Sequence, residues 1–211
     1  LLPANARLTM AAPGGEEAIV DLRPIGDSVL VTTSTGRLVA LDGADGHLRW
    51  QTRLGDRPAD RVVANEDFLV VTQHEESGAV TLTVFDTFTG QTIGRRTFDD
   101  GFHVPVNLAL SPDGTLVYTM PDRIVLKSLY EPWSNSEREI LDTKAVNTGQ
   151  FPYVNAAQPD DLQVVDGRIL ALADQNMMLR VFSLETGKPL RYTPVDSKKE
   201  IDLVLQTGNN Q

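Results

Sequence analysis

Cysteine is absent from this sequence of 211 residues. Its absence excludes disulfide bonds, thiolate zinc sites, iron–sulfur clusters and cysteine nucleophiles. Long apolar runs are also lacking, because no stretch approaches the roughly 20 residues that a membrane-spanning helix needs. We therefore expect no membrane insertion by this segment.

Basic patches are lacking as well. The sequence has 29 acidic and 19 basic residues, which gives a formal net charge of −10, and it has no run of Lys or Arg. Such a chain repels a phosphate backbone unless its basic residues gather on one face. Nucleic acid is therefore not an expected partner.

Motifs for catalysis and metal binding are missing too, including the Gly-x-Ser-x-Gly elbow, the phosphate-binding glycine loop and the His-Glu-x-x-His pair. The three histidines, His47, His74 and His103, lack the spacing of a metal or base pair. Asp42 and Asp45 resemble the start of a calcium loop, but the downstream acid that such a loop needs is absent, which favours ordinary turn chemistry. We predict no catalytic, cofactor-binding or metal-binding residue and no cofactor.

What the sequence does contain is an internal repeat of apolar run, turn, apolar run and a turn that ends in glycine. Gly90 lies 44 residues after Gly46 and 97 residues before Gly187, which leaves room for one degenerate repeat. We place it at Val106–Thr143. The three clear turns are LDGADG at Leu41–Gly46, FDTFTG at Phe85–Gly90 and FSLETG at Phe182–Gly187.

Each repeat is predicted to form strands. Short, almost continuous apolar runs such as Val29–Thr33 and Thr115–Met120 suit strands buried on both faces. The glycines of Thr35-Gly36 and Ser77-Gly78 mark hairpin turns. In the degenerate repeat, Leu129 stands 44 residues after Phe85 and is expected to occupy its position. The predicted class is all-β.

A unit of four strands in about 40–45 residues has the size of one β-propeller blade. We expect an N-terminal extension at 1–16, an interblade insertion at 144–161 and a C-terminal tail at 207–211. Four blades are placed between these segments, with the start of a fifth at Glu200–Gln206. The four are Glu17–Asp56, Arg61–Asp100, Val106–Thr143 and Leu162–Pro194.

The segment ALDGADGHLRW resembles the tryptophan-docking motif of quinoprotein-like propellers with pyrroloquinoline quinone-type repeats. Two later copies, VFDTFTGQTIG and VFSLETGKPLR, are more degenerate, with Gly94 and Arg191 in the tryptophan position. The segment SPDGTLVYT resembles WD-repeat propellers. The positions that fit the docking motif are Ala40, Asp42, Gly46 and Trp50 in the first copy, Asp86, Thr89 and Gly90 in the second, and Thr186 and Gly187 in the third.

This resemblance implies a β-propeller in which the tryptophan packs between neighbouring blades and the Thr-Gly pair makes the outer turn. Closed rings of this type commonly have six to eight blades, whereas about four and a half are present here. An open arc would leave two apolar blade faces in water. We therefore expect the remaining blades in a larger chain, a second copy or another subunit, and of these we favour a larger chain.

The favoured function is a non-catalytic β-propeller module that acts as a protein-interaction or scaffolding domain of a larger protein or complex. The alternative is part of a quinoprotein-like enzyme, a dehydrogenase or hydrolase, whose catalytic residues lie outside this segment. Aromatic residues in loops favour interfaces, so Trp133, Phe151 and Tyr153 are predicted to bind the partner. The habit of the family favours an extracytoplasmic setting, periplasmic or secreted.

Overall fold

The computed structural model describes residues 17–99, 105, 107–120, 123–132, 137–139, 161–173 and 178–194. All regular elements within these ranges are β-strands. The N-terminal extension, the insertion up to residue 160, the start of a fifth blade and the tail lie outside the described residues. So do the predicted loop residues Trp133, Phe151 and Tyr153.

Within the described ranges, sixteen strands form four separate sheets of four strands each. The first sheet contains β1 (Ile19–Ile25), β2 (Ser28–Thr33), β3 (Arg37–Asp42) and β4 (Leu48–Arg53), and the second contains β5 (Arg61–Ala64), β6 (Phe68–His74), β7 (Val80–Asp86) and β8 (Thr92–Phe98). The third contains β9 (Leu108–Leu110), β10 (Thr115–Met120), β11 (Arg123–Ser128) and β12 (Glu137–Glu139), and the fourth contains β13 (Asp161–Val165), β14 (Arg168–Ala173), β15 (Met178–Ser183) and β16 (Pro189–Pro194).

Each sheet is an antiparallel meander whose strands follow one another in chain order. The second strand of the first sheet is buried along its whole length, as its run of Val, Leu and Thr predicts. Tight hairpins join several of the strands, and Gly36 and Gly78 adopt positive φ in two of them. These features confirm the all-β propeller class, with the four sheets as blades 1 to 4.

The blades pack face to face through apolar seams. We call the packing of blade 1 on blade 2 the first seam, and its core contains Leu38, Ala40 and Trp50 from blade 1 against Leu69 and Phe85 from blade 2. A second seam joins blades 2 and 3, and a third joins blades 3 and 4. Most of the buried side chains therefore lie between sheets, where each blade removes its neighbour's apolar face from water.

The face of blade 1 that points away from blade 2 is also buried. Its cluster consists of Val29, Val31, Val39 and Leu41, whose exposed fractions lie between 0% and 7%. Blade 1 is therefore covered on both faces.

The predicted position of Leu129 is wrong by two residues. Within the sheet of blade 3, Lys127 pairs with Leu116, as Phe85 pairs with Leu69 within the sheet of blade 2. The amide of Leu129 donates to the carbonyl of Gly114, which matches the bond from Thr87 to Asp67. Lys127 is therefore the counterpart of Phe85. The distance along the chain between equivalent positions of blades 2 and 3 is two residues shorter than the prediction assumed.

Candidate functional site

Three outer turns share one hydrogen-bonding pattern. In each, the amide of the terminal glycine donates to a carbonyl four residues earlier, at 2.8–2.9 Å. Gly46, Gly90 and Gly187 all have φ between 69° and 77°, a conformation that glycine adopts without strain. The side chain of Asp86 accepts from the amide and hydroxyl of Thr89, at 2.7 and 2.8 Å. The motif residues therefore lie in equivalent turns of blades 1, 2 and 4.

In blade 4 the turn is held differently at one position. Ser183 replaces the aspartate, and its Oγ accepts from the amide of Thr186 at 3.1 Å. In blade 1, Asp42 accepts from the amide of Ala44 at 2.9 Å. A short side-chain oxygen at the end of the third strand thus caps each turn.

Trp50 connects blade 1 to the turn of blade 2. Its indole Nε1 donates to the carbonyl of Thr87 at 2.8 Å, and the side chain is 9% exposed. A Cβ at Gly90 would lie 2.5 Å from the Trp50 ring, so the turn packs against the ring and leaves no room for a side chain at this position. Trp50, Thr87 and Gly90 therefore form one interblade contact, which we call the tryptophan lock.

An arginine holds the two turns at one end of blade 1. Arg49 donates to Asp27 through Nη1 at 2.6 Å and Nη2 at 2.8 Å, and its Nη2 also donates to Asp42 at 2.6 Å. Its side chain is 22% exposed. The hydrogen bonds from Arg49 hold the pKa of Asp27 and that of Asp42 below their usual values.

This arrangement predicts a pH dependence. A lowered carboxyl pKa contributes stability above the pKa of the unfolded chain, about 3.9 for Asp, and that stability is lost as the pH falls through the folded-state value. We expect Arg49→Met to destabilise the protein at pH 7 and the difference from the wild type to shrink below about pH 4. Urea unfolding of both proteins from pH 7 to pH 2.5 measures this, and a difference that stays constant with pH would contradict it.

The inner strands of all four blades line a cavity of about 370 Å³. Its polar residues come from β1, β2 and β5 and from the residues just before β5 and β9. Arg23 donates to Asp21 at 2.5 Å and to the carbonyl of Val62 at 2.6 Å. Within the described ranges, no three acidic, histidine or cysteine side chains are grouped so that they could hold a metal ion. Residues that line the cavity include Asp21, Arg23, Asp60, Arg61, Asn107 and Leu162.

Two of the histidines can be placed. His47 lies 2.8 Å from Asp45, which raises the pKa of His47, and its side chain is 83% exposed. His74 lies 2.7 Å from Asp60 at the end of β6, and its side chain is 58% exposed. Both are paired at the surface, while His103 lies outside the described residues.

Sequence reasoning missed two exposed aromatic side chains at one end of the blades. Phe88 is 78% exposed and Tyr130 is 63% exposed, and they hold the same turn position in blades 2 and 3. Tyr130 donates to Asp67 at 2.6 Å, and this hydrogen bond raises its pKa. The sequence did contain a signal for this exposure. Blades 1 and 4 have the small Ala44 and the charged Glu185 at the same turn position, which indicates that the position faces solvent.

The family model described as outer membrane protein assembly factor BamB matches residues 10–207. Among curated proteins, no sequence matches. None of the described residues forms a helix long and apolar enough to cross a membrane.

Several solved structures are similar to this chain. BamB from Moraxella catarrhalis is 21% identical, with a TM-score of 0.48, and 83% of this chain matches 48% of that one. The β-propeller domain of Myceliophteria thermophila Cps50 (Swd1) is 13% identical, with a TM-score of 0.61 over 86% of this chain and 61% of that one. KlAtg21, in complex with the coiled coil of AgAtg16, is 13% identical, with a TM-score of 0.62 over 85% and 57%. The chain thus spans about half to three fifths of these propellers.

Proposed function

This chain belongs to the family described as outer membrane protein assembly factor BamB, and we propose that it is a non-catalytic propeller scaffold that binds a protein partner during outer-membrane protein assembly. The match over residues 10–207 carries this proposal. A protein partner is further supported by KlAtg21, a similar fold whose structure is a complex with a coiled coil. The proposed setting is extracytoplasmic, on the periplasmic side of the outer membrane.

The surface that we propose for the partner is the end of the blades that carries Phe88 and Tyr130. Aromatic side chains are enriched among the residues that contribute most to protein interfaces, and Phe88 makes little use of its ring within the fold at 78% exposure. Asp67 is hydrogen-bonded to both turns, since its carboxylate accepts from Tyr130 and its carbonyl accepts from the amide of Thr87, the residue before Phe88. The partner would therefore contact two apolar rings, and the carboxylate beside them could accept hydrogen bonds from it.

The docking role of the motif is part of the same proposal. Ala40, Asp42, Gly46, Trp50, Asp86, Thr89, Gly90, Thr186 and Gly187 serve to join and space the blades rather than to contact the partner. Trp133, Phe151 and Tyr153 stay predicted partner contacts. The quinoprotein-like enzyme stays an untested alternative, and a rise in melting temperature on adding pyrroloquinoline quinone with calcium would support it.

Deletion and complementation in the source cells test the function. If the proposal is right, cells without the protein show less folded outer-membrane β-barrel protein, measured by heat-modifiable electrophoretic mobility, and the wild-type gene restores it. Unchanged barrel assembly in the deletion strain would overturn the proposal.

Phe88→Ser tests the surface. Because the ring is mostly exposed, we expect the melting temperature to change by no more than about 1 °C, while the dissociation constant for the purified partner rises about tenfold. The matched control is Glu185→Ser, at the same turn position of blade 4, which should leave binding unchanged. Equal binding by the wild type and Phe88→Ser would remove this end of the blades as the docking surface.

A further inference from the structure

Blade 2 lacks the tryptophan that blade 1 inserts into the first seam. The strand pairs Ala40 with Trp50 and Val84 with Gly94 are equivalent, because each is followed by the same irregularity in register. Gly94 is therefore the counterpart of Trp50. Where blade 1 fills the space beside its outer strand with an indole, blade 2 contributes no side chain.

A cavity of about 400 Å³ lies at this place, between the outer strand of blade 2 and blade 3. Its walls include Val84, Gly94, Lys127 and Leu129. Each wall residue has a counterpart at the first seam, since Val84 matches Ala40 and Leu129 matches Thr87. The cavity is thus built on the same frame that receives an indole one blade earlier.

We propose that this cavity, which we call the indole slot, binds the side chain of a tryptophan on a partner protein. The indole N–H would donate to the carbonyl of Leu129, as that of Trp50 donates to the carbonyl of Thr87 at 2.8 Å. A carbonyl oxygen has two lone pairs and can accept this bond whatever else it contacts. The inference goes beyond the proposed function, because it does not depend on the role of the partner.

Lys127 makes the slot selective for an electron-rich ring. It replaces the buried Phe85 of the first seam, is 1% exposed, and donates from Nζ to the carbonyl of Pro132 at 2.8 Å. Burial lowers the pKa of Lys127. An ammonium group next to a ring face favours indole over an aliphatic side chain of similar size.

The slot is open to solvent, and Glu131 lines it together with apolar side chains. Ile93 is 50% exposed and Tyr130 is 63% exposed, and both line the cavity. Tyr130 also belongs to the surface proposed above for the partner. A partner segment that contacts this surface could therefore extend one tryptophan into the slot.

Titration with N-acetyl-L-tryptophanamide, followed by amide NMR, tests the proposal. We expect saturable shifts centred on Gly94, Lys127 and Leu129, with a millimolar dissociation constant, and at least tenfold weaker binding of N-acetyl-L-leucinamide. Absence of saturable shifts, or shifts centred elsewhere, would overturn it.

Variants separate the slot from non-specific binding. Gly94→Trp should fill the slot and abolish binding, whereas Arg95→Trp, which adds an indole on the opposite face of β8, should leave it unchanged. Lys127→Met should weaken binding of N-acetyl-L-tryptophanamide about threefold. This second variant tests the slot even if Gly94→Trp does not fold. Binding that occurs only after Trp133→Phe would mean that the chain's own indole occupies the slot, and this result also contradicts the proposal.

Discussion

Trp50→Ala is expected to lower the free energy of unfolding by about 4 kcal/mol. Replacement of a buried aromatic residue by alanine typically costs about 3–5 kcal/mol, from lost burial and from the cavity that remains. Here the indole also loses its hydrogen bond to the carbonyl of Thr87, at 2.8 Å. Urea unfolding monitored by far-ultraviolet circular dichroism measures the change.

Trp50→Phe is the matched control for this experiment. It keeps a ring in the first seam but removes the N–H, so we expect a smaller loss, about 2 kcal/mol. A loss below about 1 kcal/mol for Trp50→Ala would show that the tryptophan lock does not join the blades.

Gly90→Ala is expected to cost about 3 kcal/mol. The residue has φ of 70°, where an alanine is strained by about 1 kcal/mol. The added methyl group would also lie 2.5 Å from the Trp50 ring, and relieving such an overlap in a packed core costs about 1–3 kcal/mol more. Urea unfolding again provides the measurement.

Gly46→Ala separates the two causes, because Gly46 holds the same turn position in blade 1. Its φ is 77°, and a Cβ added there meets nothing within 4 Å. It should therefore cost only the conformational strain, about 1 kcal/mol. If Gly90→Ala and Gly46→Ala lower the free energy of unfolding by the same amount, the contact between Gly90 and the Trp50 ring does not contribute to stability.

The sequence predicted the strands and the outer turns well because their signals are local. A strand buried on both faces needs a continuous apolar run, and a positive φ after a capping aspartate needs glycine, so Thr115–Met120 and Asp86–Gly90 could be recognised from neighbouring residues alone. The repeat spacing then linked these units into blades.

Features that depend on packing between blades could not be predicted in the same way. The two-residue error at Leu129 arose because Lys127 is not apolar, although its position at the second seam is fully buried. The hydrogen bonds of Arg49 to Asp27 join residues 22 positions apart, and spacing along the chain does not indicate them.

Gly94 shows how a degenerate repeat can carry information. In the sequence, Gly94 stands where the docking motif has tryptophan, in a degenerate copy of that motif. In the fold it borders a cavity of about 400 Å³ whose walls match those around Trp50. A structural position in one blade therefore becomes a candidate binding site in the next.

A double-mutant cycle on Trp50 and Gly90 tests most directly whether the blades are joined through the tryptophan lock. If they are, Gly90→Ala in the Trp50→Ala background should cost only about 1 kcal/mol, as Gly46→Ala does, because the ring that its methyl group would strike is gone. A cost of about 3 kcal/mol in both backgrounds would contradict the account, since the two residues would then contribute independently.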